Sequence, residues 1–147
     1  MIRLLLALSL IVQAVPVHAE NPIGYGASSI VAKHHNRKME MAVFFPGQGG
    51  DNISLGENGV LHGVPVQGGA TPAPGAYPLI LMSHGWGGNY KRMTWLSQGL
   101  AAKGAIVVAV NHPNSTTGEL SNLEALNHWT RAQDLSAALD AVMQNPA

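Results

Sequence analysis

The residues best suited to chemistry lie in one run, Ser83-His84-Gly85-Trp86-Gly87-Gly88, which closes the apolar stretch from Tyr77 to Met82. A glycine-rich turn between a strand and a helix presents backbone N–H groups at a helix N-terminus, where the peptide dipoles favour negative charge. Glycines also let a ligand approach the backbone closely. Such a turn suits a phosphate or a developing oxyanion. The phosphate option fails on pattern. The stretch has no Gly-x-x-x-x-Gly-Lys-Ser/Thr, and Gly85-Trp86-Gly87 begins a dinucleotide fingerprint that Tyr90 breaks where the third glycine belongs. The next apolar strand ends at Asn111 and not at an acidic residue. That leaves the oxyanion option, beside a glycine turn that only packs helix against strand.

Other reactive side chains are scattered. Asn111-His112-Pro113 follows a predicted strand at its carboxyl end, where open α/β sheets bind ligands, so His112 is a candidate for lining a substrate cleft or for shaping the loop. Arg131 and Asp134 are three apart in a predicted helix, where they could pair with each other, and a structural role is favoured over a catalytic one. His34-His35 sits in the polar run Lys33–Lys38 and reads as a solvated turn. Neighbouring turn residues rarely aim at one ion, and no third ligand is suitably spaced. The seven histidines show no metal-ligand spacing, so a small metal-binding protein is disfavoured and no metal or cofactor is expected.

The elements that must position these residues follow from patterning. Ile23 to Val31 and Met39 to Phe45 flank the polar turn and predict an antiparallel hairpin. Gly47 to Ala76, rich in Gly and Pro, predicts a long irregular connection lying over a sheet edge. Tyr77–Met82 and Ala105–Val110 are near-continuous apolar strands separated by a helix that Asn89 caps and Gly104 ends. This pattern argues for parallel pairing with both faces covered. Two capping boxes follow, Ser121-Asn122-Leu123-Glu124 and Thr130-Arg131-Ala132-Gln133. The second opens a helix striped by Leu135, Ala138, Leu139 and Val142.

Composition sets the outer bounds. The 147 residues are 46% hydrophobic, enough for one domain with a core. Eight Lys or Arg balance eight Asp or Glu, which leaves no electrostatic footprint for nucleic acid. Met1-Ile2-Arg3, the apolar run Leu4–Val15 and Pro16-Val17-His18-Ala19 predict a secretory signal peptide cleaved after Ala19. The run is too short to span a bilayer, so no stable membrane insertion is expected after cleavage. Cysteine is absent, which fits a periplasmic or secreted location without disulfides. Residues 20–147 are then the folded domain.

"YPLILMSHGWGG", the helix ending at Lys103-Gly104, "AIVVAVNHP" and Arg131-Ala132-Gln133-Asp134 together resemble the predicted dienelactone hydrolases. These form the branch of α/β-hydrolases that includes platelet-activating-factor acetylhydrolases, and the resemblance runs from about Ile23 to Pro146. It implies an α/β fold, here the N-terminal half of an α/β-hydrolase, with hairpin strands followed by parallel β-α-β-α. It also implies a serine hydrolase acting on small-molecule esters through a Ser-Asp-His triad, which the leader-like segment would make an exported one. Carried onto this sequence, the Trp86 backbone N–H is the oxyanion donor. Gly85 and Gly87 shape the turn, and His84 is a turn residue and not the base.

The sequence departs from that family at the triad. It contains no Gly-x-Ser-x-Gly; Ser83, Ser28, Ser29 and Ser97 all lack the nucleophile elbow. Nucleophile, acid and base are therefore expected outside the chain, which by itself would be inactive. The alternative is a catalytically inactive truncated product or a binding module. The family's strand order would leave "LILM" as an exposed apolar edge, so the isolated domain is expected to be poorly soluble.

Overall fold

The computed structural model describes residues 21–60, 62–123 and 126–144. The proposed signal peptide and Glu124 of the first capping box lie outside the described residues. Strand β1 (Ile23–Ala32) and strand β2 (Arg37–Gln48) form the expected hairpin, antiparallel from Ile23 opposite Pro46 to Ala32 opposite Arg37.

The Gly/Pro-rich stretch, expected as irregular, instead builds strands β3 (Asp51–Leu55), β4 (Val64–Gly68) and β5 (Thr71–Pro72). Strands β3 and β4 pair antiparallel, and β4 joins β1 in parallel. Gly49, Gly50, Gly56 and Gly69 take positive φ and reverse the chain around these short segments. A glycine-rich composition thus marks tight reversals here, not a lack of order.

Strand β6 (Leu79–Ser83) and strand β7 (Ile106–Val110) pair in parallel, Leu79 opposite Ile106 through Ser83 opposite Val110. Strand β7 also pairs antiparallel with β2, giving the order β3-β4-β1-β2-β7-β6. Strand β6 is therefore an edge strand among the described residues, as the family's strand order implied.

Between β6 and β7 lies helix α1 (Thr94–Ala102), preceded by a 3₁₀ turn over Tyr90–Met93. The Asn89 side chain accepts from the Arg92 N–H at 3.1 Å, and Gly104 leaves the helix with φ +86°. The predicted helix thus opens as a 3₁₀ turn. Two short strands, β8 (Ser115–Thr116) and β9 (Glu119–Leu120), follow β7 and pair with each other. Helix α2 (Thr130–Gln144) completes the described chain. Thr130 is its first helical residue. The Thr130 hydroxyl donates to the Asn127 carbonyl at 2.7 Å, so it does not act as the accepting cap of the predicted box.

Strand alternation divides the core into two. Ala42, Phe44, Ile80, Met82, Val107 and Ala109 face α1, and Met39, Met41, Leu79, Leu81, Val108 and Val110 face α2. Phe44 and Met39, both fully buried, each contribute about 1.5–3 kcal/mol of apolar burial. The same period of two puts Ser83, the residue after Met82 on β6, on the α2 side. On α2, Ala138 is fully buried against the sheet, and Asp134 and Arg131 fall on the same face one and two turns earlier. The site is built where these two alternations meet.

Candidate active site

The glycine turn leaves β6 at Ser83 and is clamped by the chain that follows β7. The Gly87 N–H donates to the Ser115 carbonyl at 2.9 Å, and the Gly88 N–H to the Gly85 carbonyl at 2.9 Å. In return, the Thr117 N–H donates to the Gly88 carbonyl at 2.9 Å. Gly87 has φ +69°, the conformation that makes glycine the fitting residue there, whereas Gly85 has no positive φ. A Cβ on Gly88 would meet the Gly85 carbonyl oxygen at 3.0 Å, so close approach of two backbones requires that glycine. The Trp86 N–H has no backbone acceptor among the described residues, although the amides that follow it are both engaged. The Trp86 side chain is half exposed.

His84 holds the turn from beneath. Its Nδ1–H donates to the Gly85 carbonyl at 2.7 Å, and its Nε2 accepts the His112 N–H at 3.2 Å. Those two bonds define the neutral ring. Burial is the main force pushing its pKa below the usual 6.5. The Gly85 bond opposes that shift, and His112 and Arg131 nearby reinforce it.

A second cluster lies against the turn. His112 is 1% exposed and Asp134 2%. The His112 Nδ1–H donates to Asp134 Oδ2 at 2.7 Å, which leaves Nε2 to accept from the Ser83 hydroxyl at 2.8 Å. Arg131 Nη2 donates to Ser83 Oγ at 3.1 Å and to the His84 carbonyl, and Nη1 donates to Ser115 Oγ at 2.9 Å. A guanidinium has no acceptor, so this contact turns the Ser83 hydrogen toward His112. An Arg131–Asp134 pair is not what forms. Arg131 fastens α2 to the turn, and Asp134 serves histidines.

His34 and His35 correct the solvated-turn reading. Their Nε2 atoms each lie 2.9 Å from Asp134 Oδ1. The tip of the β1–β2 hairpin reaches under α2 because Ala32 and Met39, at its two roots, pack there. Burial pushes the Asp134 carboxyl upward, but the hydrogen bonds and charge of His112 and His35 outweigh it and hold the group below its ordinary value.

Ser83, His84, Trp86, His112, Arg131 and Asp134 line a cavity of about 440 Å³. A larger cleft of about 620 Å³ opens nearby among Arg37, Lys38, Glu40 and Lys91. It contains neither Trp86 nor Ser83, so the smaller cavity is the one that joins the open amide to the polar cluster. Sequence reasoning singled out Gly85, Trp86, Gly87 and His112, and all four fall at this cavity or its turn. It missed Ser83, Arg131, Asp134, His34 and His35 as one network. The available signal was weak: a serine ending an inward-facing strand pattern, and Arg131 and Asp134 on one helix face.

Residues 59–137 match the family described as platelet-activating factor acetylhydrolase, isoform II. The fold is similar to that of a ferulic acid esterase from Streptomyces cinnamoneus. The TM-score is 0.65 at 23% identity, over 86% of this chain and 48% of the esterase. The chain therefore spans about half the length of the solved structure it matches. Among curated proteins, none matches the sequence.

Proposed function

Because the chain belongs to the platelet-activating factor acetylhydrolase, isoform II family, we propose that it forms the oxyanion-hole side of an exported hydrolase of small carboxylic esters. The observation that carries this reading is the Trp86 N–H, without a backbone acceptor among the described residues, in a turn whose next two amides are fixed. Attack on an ester carbonyl moves negative charge onto its oxygen. A donor already aimed and needing no reorganisation stabilises that charge, typically by about 2.7–4 kcal/mol. In this reading the nucleophile, acid and base lie outside these residues. The similar esterase is about twice as long as the matched region, which is room enough for them. Export rests on the leader-like segment, and N-terminal sequencing of the exported product should begin at Glu20.

The test uses the whole product of the gene and p-nitrophenyl acetate. Trp86→Pro removes the N–H and should lower kcat by about 10²–10³, whereas Trp86→Ala, which keeps the N–H, should retain most of it. Equal loss in both would assign the effect to the indole, and an active proline variant would sink the oxyanion assignment.

One observation favours a second reading. Ser83, His112 and Asp134 are hydrogen-bonded in the order nucleophile, base and orienting carboxylate, with Arg131 beside Ser83 Oγ. In that reading the chain attacks esters by itself. Against it stand the extended position of Ser83 on β6 and the sharing of Asp134 with two further histidines. A fluorophosphonate probe decides: an adduct on Ser83 selects the second reading, and an unlabelled chain leaves the first.

A further inference from the structure

The hairpin tip and helix α2 bring three ligand atoms of metal-binding type to one point, on the far side of the Asp134 carboxylate from His112. We propose that His34, His35 and Asp134 form a site for a divalent transition-metal ion of the zinc class. The metal-ligating atoms of these three side chains lie within 4.8 Å of one another. Both Nε2 atoms stand 2.9 Å from the same carboxylate oxygen, so an ion near Oδ1 meets all three with small ring movements. The two imidazole rings stand edge to face with centroids 4.2 Å apart, an arrangement that lets adjacent residues turn their Nε2 atoms the same way.

The donor chemistry selects the ion class. Two neutral imidazoles and one carboxylate suit zinc in a tetrahedral site, with water as fourth ligand; calcium and magnesium prefer oxygen ligands throughout. The far side of the carboxylate is already prepared. Asp134 Oδ2 accepts the His112 Nδ1–H at 2.7 Å, an outer bond of the kind that orients a metal-bound carboxylate. The His34 and His35 side chains keep 18% and 20% of their surface, so the site meets solvent on the hairpin side while Asp134 is buried. Bound there, the ion would tie the β1–β2 hairpin to α2 and, through His112, hold the Ser83 end of the cavity. The assignment is independent of the oxyanion-hole reading, and it shares Asp134 with the Ser83-His112-Asp134 reading.

The test titrates zinc chloride into the purified whole product of the gene against a chelating indicator. One ion per chain should bind, with a rise in the thermal unfolding midpoint. His34→Ala and His35→Ala should each weaken binding by about tenfold or more, whereas His62→Ala, at an exposed position, should leave it unchanged. Undiminished binding in both hairpin variants, or no saturable single site, overturns the proposal. Should either variant fail to fold, cobalt loaded into the unmodified chain decides. Tetrahedral visible absorption that zinc abolishes supports the site, and the spectrum of hydrated cobalt overturns it.

Discussion

The glycine turn and the polar cluster under α2 adjoin each other and are held by opposite means. In the turn, backbone is what is held: Gly87 and Gly88 bond to the Ser115, Gly85 and Thr117 backbone, and His84, Thr117 and Arg131 side chains bond to its carbonyls. In the cluster, side chains hold side chains. Asp134 accepts from His34, His35 and His112, and Arg131 reaches Ser83 and Ser115. The turn depends on conformations that few residues can take. The cluster depends on burying a charge that only its partners make tolerable. One region is therefore sensitive to backbone conformation and the other to lost side chains.

The largest expected effect tests the cluster. Asp134→Ala leaves His112 buried without its acceptor and frees the hairpin tip. Urea unfolding should show a loss of about 3 kcal/mol, since each buried donor left unpaired costs about 1–3 kcal/mol. A loss below about 0.5 kcal/mol would mean the network is incidental.

The turn should respond less. Gly87→Ala meets no atom within 4 Å, so its cost is conformational only, about 1–2 kcal/mol for an L-residue at φ +69°.

Acidity separates the two regions further. The Asp134 carboxyl is held below its ordinary value, so its contribution is complete above the unfolded value of 3.8 and is lost as pH falls through the folded one. His84, also lowered, contributes fully above 6.5 and loses its contribution as pH falls from 6.5 to its folded value. Stability followed by urea midpoint should fall in two stages on acidification, with His84→Gln removing the upper stage. A midpoint that rises below pH 6 would contradict both signs.

The smallest effect is expected at Gly85, where an added Cβ meets nothing within 4 Å and φ is not positive. Gly85→Ala should change stability by less than about 0.5 kcal/mol. A cost equal to that of Gly87→Ala would erase the distinction between the two glycines.

The same contrast explains what could be read from sequence. The hairpin, the Asn89 cap and the Gly104 stop rest on neighbours in the chain, and the parallel β6–β7 pair on two apolar runs joined by a helix, so each is legible as pattern. The Gly/Pro-rich stretch misled because glycine at a reversal and glycine in a loop look alike until the pairing partner is known. His34 and His35 look solvated in the sequence because their partner lies a hundred residues away, where spacing carries no information. Arg131 and Asp134 were placed on one helix face correctly. Local periodicity could not say that each would turn to a different strand end.

That long separation also bears on how the molecule assembles. The contact between His34 and Asp134 spans 100 residues, whereas the β1–β2 hairpin closes across a four-residue turn. Loop-closure entropy delays distant contacts, so the hairpin should form early and α2 should dock late onto a sheet already made. Amide hydrogens of α2 would then exchange through openings that leave β1, β2 and β7 protected. The cavity beside Trp86 would come into being only with that last docking step.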